Sequence, residues 1–131
     1  MFSRIDHIKY FKTCIQGLPD HYVELDTQRM VLLYFCILGL DVLNGLCDLN
    51  TEETTSVVNF VKSNRLHTVV DGVQLQGYVG SSFCGPPPVT KGGYCSSYYW
   101  QSHLAMTYSS IAIMITLQQP IDFEFKTEVI H

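Results

Sequence analysis

Near the start of the chain, Ile5, Ile8, Phe11 and Ile15 recur at helical spacing with Arg4, Lys9 and Lys12 between them. One apolar stripe on a polar cylinder predicts an amphipathic helix over residues 3–15, with Ser3 as its N-cap and Asp6 as the acid three positions on. Gly17, Leu18 and Pro19 stop it, because proline cannot continue the ladder and glycine tolerates a left-handed cap. Asp26 or Thr27 is expected to cap a second helix running to Leu43 or Leu46. Its middle, Met30 to Leu40, is apolar on every face, and a helix with no polar side must be surrounded by other helices. Asn50, Thr51, Glu52 and Glu53 announce a third helix with Val57, Val58, Phe60 and Val61 on one face. A fourth is predicted from His103 to Leu117, again apolar nearly all round and ended by Pro120.

Between the third and fourth helices the pattern predicts no regular element, only a long irregular loop over 64–101. It holds most of the nine glycines, the Pro86 to Pro88 run and the cluster Tyr94, Tyr98, Tyr99 and Trp100. Such loops are often functional. After Leu117 the chain alternates apolar and polar residues like a short strand, so 1–117 is expected to be one domain and 118–131 a divergent tail. The expected fold class is all-α, about four helices in the order outer, inner, outer, inner. Helical hairpins stacked in two layers, as in solenoids and closed toroids, have that alternation, and two hairpins alone leave the inner helices half covered.

Composition narrows the picture. The chain has 131 residues, 47% of them hydrophobic, and a net charge of −4, which disfavours a nucleic acid partner. The run from Met30 to Leu40 is far short of the ~20 apolar residues that span a bilayer. No signal peptide is legible, so a cytoplasmic protein with reduced thiols is expected. The five cysteines are odd in number and show no paired spacing. A zinc site from Cys84, Cys95 and His103 fits no recognised finger spacing, and no cysteine–histidine pair has a legible third group to orient it. His7, His21, His67 and His131 read as ordinary surface or loop residues, and Pro86 to Pro88 as a loop stiffener.

Four segments carry a more specific signal: Ile8-Lys-Tyr-Phe-Lys-Thr-Cys-Ile-Gln-Gly-Leu-Pro19, Leu25-Asp-Thr-Gln-Arg29, Phe35-Cys-Ile-Leu-Gly-Leu-Asp-Val-Leu43 and Ser102-His-Leu-Ala-Met-Thr-Tyr-Ser109. In order and spacing they resemble the protein prenyltransferase β-subunit family, in particular the β subunits of type I protein geranylgeranyltransferase, from about Arg4 to Leu117 with poor agreement over 66–76. Met106 stands where the farnesyl-directed relatives carry proline, and Gly80-Ser-Ser-Phe83 also looks like the geranylgeranyl type. The resemblance implies an incomplete α-α toroid whose inner helices line an apolar funnel, a heterodimer with a prenyltransferase α subunit, and geranylgeranyl diphosphate and proteins with a Cys-aliphatic-aliphatic-X tail as substrates. A family zinc ion would bind the acceptor thiolate, which displaces diphosphate from C1 of the lipid. Carried over by position, His103 and Ala105 match residues shaping the pocket for the last residue of the tail. Phe35 matches an aromatic near the tail's second aliphatic residue and the lipid. Val31 stands where the animal enzymes usually have threonine, which keeps the shape and drops a hydroxyl.

The family's zinc ligands are an Asp-x-Cys pair and a later His. This sequence contains no Asp-x-Cys, and Arg29 and Lys62 do not fall on the family's diphosphate-binding positions. No metal ligand or catalytic residue is therefore assigned, and zinc is only implied by the resemblance. The expectation is a truncated β subunit, inactive alone. The alternative expectation is a non-catalytic interaction protein that binds the α subunit.

Overall fold

The computed structural model describes residues 2–18, 20–70, 73–81 and 102–121. Helix α1 spans Arg4–Gln16, and the Ser3 hydroxyl accepts the Asp6 N–H, as the sequence predicts. Gly17 ends the helix in extended backbone (φ −178°), with its N–H donating to the Thr13 carbonyl, so the expected left-handed cap is not used. A 3-10 stretch, Asp20–Gln28, leads into α2, Arg29–Val42. Neither Asp26 nor Thr27 caps α2. Asp26 instead pairs with Arg29 at 2.9 Å, and the N-cap, Gln28, makes no side-chain cap bond. The reason is tertiary: the Met30 N–H, one of the orphan donors of the first turn, donates to the Gly80 carbonyl at 2.9 Å.

A short 3-10 turn, Leu46–Asp48, precedes α3, Thr51–Ser63, which opens on a full capping box. Asn50 Oδ1 accepts the Glu53 N–H at 2.8 Å, and the Asn50 N–H donates to Glu53 Oε2 at 2.9 Å. Glu53 also accepts Gln16 Nε2 at 3.0 Å and pairs with Lys12 at 3.4 Å, which binds the start of α3 to the end of α1. Arg4 reaches the other way, donating through Nε to the Leu43 carbonyl at 2.6 Å, where a cation complements the partial negative charge of the α2 C-terminus.

The irregular loop expected over 64–101 is wrong for its first part. Strands β1, Arg65–Val70, and β2, Val73–Tyr78, pair antiparallel in register from Arg65↔Tyr78 to Val70↔Val73. Asp71-Gly72, between Thr68-Val69-Val70 and the alternating Val73-Gln74-Leu75-Gln76, is a two-residue hairpin signal in the sequence. The polyproline run, the aromatic cluster, Cys84 and Cys95 lie outside the described residues.

Helix α4, Leu104–Thr116, packs on α2 and on β2. Three consecutive residues tie the helix ends together. Tyr78 N–H donates to Thr107 Oγ1, and its carbonyl accepts the His103 N–H. Val79 N–H donates to the Asn64 carbonyl at the end of α3, and Gly80 accepts from Met30. Gly80 must be glycine, because a Cβ there would collide with the Thr27 carbonyl oxygen. The core is Met30, Leu33, Ile37, Val57, Val58, Val61, Tyr78, Ile113 and Met114. Buried Ser109 and Ser110 return their hydroxyls to the carbonyls of Ala105 and Met106, both at 2.8 Å, so these polar groups enter the interior satisfied.

The two inner helices end alike. After α2, Asn44 adopts φ 49°, with Gly45 N–H to Leu40 O and Asn44 N–H to Asp41 O. After α4, Gln118 adopts φ 54°, with Gln119 N–H to Met114 O and Gln118 N–H to Ile115 O. Both are Schellman closures with a residue other than glycine in the left-handed position. Among the described residues the fold is thus mostly helical with one small two-stranded ribbon, as an incomplete α-α toroid requires.

Candidate functional site

Globular helices bury one stripe, but α2 is apolar on two, and α4 carries an open apolar stripe opposite a buried one that includes two serines. On α2 the buried positions are Met30, Leu33, Cys36, Ile37 and Leu40. About 170° away on a wheel of ~100° per residue lie Val31, Phe35, Leu38 and Val42, spaced i, i+4, i+7 and i+11. Phe35 is 60% exposed and Val42 81%. On α4 the buried positions are Ser109, Ser110, Ile113 and Met114, and the opposite stripe is Leu104, Tyr108, Ile111 and Ile115. Leu104 is 86% exposed, and Tyr108 and Ile115 are each 61% exposed. No charged side chain belongs to either open stripe. Among the described residues the Lys12–Glu53 ion pair and the Arg4 and Lys12 contacts involve α1, α3 and the turns beside them, and the Asp26–Arg29 pair sits at the very start of α2, off its open stripe.

The stripes meet where α2 packs on α4. Tyr34 and Tyr108 stand edge to face, ring centroids 5.7 Å apart, and Tyr34 also lies 5.2 Å from the ring of Phe35. The Tyr108 phenol beside it raises the Tyr34 phenol above its ordinary pKa. The result is a row of three aromatic rings across the helix junction in an otherwise aliphatic face.

Of the residues singled out by sequence, Val31 and Phe35 fall on the open stripe of α2, with Val31 half-buried. Ala105 is exposed in the first turn of α4. His103 is the exposed N-cap, its carbonyl accepting the Thr107 N–H at 2.9 Å while its ring makes no cap bond. Sequence reasoning gives no role to Leu38, Val42, Leu104 or Tyr108, which the i, i+4, i+7, i+11 recurrence marks, nor to Tyr34, which lies off both series.

Among the described residues, no three His, Cys, Asp or Glu side chains converge to hold a metal ion, so these residues do not fit a zinc site. Cys14, Cys36 and Cys47 are free thiols, and burial pushes the Cys36 thiol up to about 12, with Cys14 beside it adding to the shift. No helix among the described residues is long and apolar enough to cross a membrane. What the face offers is a broad non-polar wall with two phenol hydroxyls, suited to holding a hydrocarbon chain.

A family model described as the prenyltransferase alpha-alpha toroid domain matches residues 2–130, which takes in both inner helices and continues through 118–130. The chain therefore belongs to the prenyltransferase alpha-alpha toroid domain family.

Proposed function

We propose that the open face of α2 and α4 is one wall of the lipid funnel of a protein geranylgeranyltransferase β subunit. The observation that carries this reading is the open apolar stripe on each inner helix, which faces away from the core and is built without charge. In a closed ring, further helices complete the wall around the prenyl chain. Phe35 and Val31 then line the lipid and the tail pocket, while His103 and Ala105 shape the space for the last residue of a Cys-aliphatic-aliphatic-X acceptor. The partner is a prenyltransferase α subunit. These residues bind and orient, and we assign none of them the displacement of diphosphate.

The test is equilibrium binding of a fluorescent geranylgeranyl diphosphate to the chain, with unlabelled prenyl diphosphates of ten, fifteen and twenty carbons as competitors. Each buried methylene contributes about 0.8 kcal/mol, so a five-carbon isoprene unit covered on one side should tighten binding roughly tenfold or more. Saturable binding with that order supports the reading. Binding that never saturates, or that ignores chain length, overturns it.

A further inference from the structure

Phe35 and Val42 on α2 and Leu104, Tyr108 and Ile115 on α4 are each more than half exposed, and all five lie on the two open stripes. A whole aromatic side chain covers roughly 150–250 Å² and an aliphatic one, from its transfer energy, roughly 60–120 Å², so the five together leave roughly 450 Å² of apolar surface to water. The largest patch on an ordinary monomer is about 300–600 Å². Val31, Leu38 and Ile111 add their exposed parts along the same stripes, and with the flanks that any docked body also covers, the face comes near the ~800 Å² per partner of a stable dimer.

Charge narrows what can dock there. The chain carries a net charge of −4, so two copies repel wherever their acids meet. Helix α4 has no charged residue, and α2 has only Arg29 and Asp41, near its two ends. Arg29 is paired with Asp26 off the open stripe, and Asp41 stands about 80° round the helix from the centre of that stripe. The exposed apolar residues of α1, Phe2, Ile5 and Tyr10, are by contrast interleaved with Arg4, Asp6 and Lys9. A charged partner finds no counter-charge on the face of α2 and α4, whereas a second copy brings an equal uncharged face and keeps its acids away.

We propose that the open face of α2 and α4 is the contact of a two-fold homodimer, in which a second copy of this chain covers it. The inner helices of the two copies then form a four-helix layer, and the same patch on both sides closes the assembly at two. The dimer is independent of the funnel-wall reading: a prenyl chain on the wall excludes the second copy, and each occupant is detected without the other.

The test is sedimentation equilibrium of the lipid-free chain over a range of concentrations, with Leu104→Asp, Ile115→Lys and, as a control on the outer face, Ile5→Asp. A monomer–dimer equilibrium with a micromolar dissociation constant is expected, tightening as salt screens the like net charges. Each two-fold contact meets a substitution twice, so Leu104→Asp and Ile115→Lys should each raise the dissociation constant at least tenfold, and Ile5→Asp should leave it unchanged. A chain that stays monomeric, oligomers that grow beyond two, association that weakens with salt, or equal loss in Ile5→Asp overturns the dimer. Where a face variant loses helical circular dichroism, hydroxyl-radical footprinting of the unsubstituted chain decides. Protection of Phe35, Leu104 and Tyr108 that rises with the dimer fraction supports the contact, and reactivity independent of concentration overturns it.

Discussion

Phe35 and Ile37 are two residues apart on α2, yet one is 60% exposed and the other fully buried. Truncating each to alanine should separate the two apolar stripes by energy. In a packed core, removing a phenylalanine side chain costs about 3–5 kcal/mol and an isoleucine about 2–5. Ile37 sits within the core cluster, so Ile37→Ala should cost about 3 kcal/mol. Phe35 has only the remaining 40% of its surface covered, and full burial of its ring contributes ~3 kcal/mol, which leaves about 1 kcal/mol. Alanine's better helix propensity offsets about half of that. The larger truncation is thus expected to be the cheaper by about 2 kcal/mol. Urea unfolding followed by helical circular dichroism measures both, with the slope held common so that midpoints report stability. Phe35→Ala should also weaken binding of a hydrophobic dye, because it removes part of the exposed patch. A Phe35→Ala cost equal to that of Ile37→Ala would refute the assignment of two stripes.

Other outcomes follow from the helix ends and the thiols. Gln118→Gly relieves a left-handed residue at φ 54° and should raise stability by about 0.5–1 kcal/mol in the same urea assay. The hydrogen bond from the Asn50 backbone, then that from Gln16, with Lys12 nearby, holds the Glu53 carboxyl below its ordinary value of 4.5. The lowered group favours the folded state above the unfolded value, so this contribution should fade as pH falls from about 4.5 through the folded pKa, and Glu53→Gln should flatten that part of the stability profile. With its pKa pushed up to about 12, the Cys36 thiol should stay unalkylated near neutral pH while exposed Cys47 reacts, as site-resolved mass spectrometry will show.

The helix starts that carry their own chemistry were legible in the sequence. Ser3 with Asp6 and Asn50 with Glu53 make local bonds that need nothing from elsewhere in the chain. The start of α2 departs from the local expectation because the Met30 N–H is satisfied by Gly80, fifty residues on, and no local pattern encodes such a bond. The hairpin is signalled by Asp71-Gly72, but the glycine and proline run that follows it carries the stronger loop signature. At the site, apolarity marks the inner helices but does not say which stripe faces the core, since both stripes of α2 are apolar and the core-facing stripe of α4 is the one that carries Ser109 and Ser110. That distinction is fixed by α4 packing on α2. Phe35, Val31, His103 and Ala105 come from resemblance and Tyr108 is marked by the spacing of the open stripe, whereas Tyr34 is visible only through its ring contacts with Phe35 and Tyr108.

The three residues that tie the helix ends together also bear on how the molecule opens. Tyr78, Val79 and Gly80 bind one end each of α4, α3 and α2, so none of those ends can fray without loosening the others. The amides of Met30, Val79 and His103, far apart in sequence, should exchange with solvent as a single cooperative unit. In folding, the same crossing makes the seating of α4 and the closure of the first turn of α2 one event, reached late because it joins segments distant along the chain.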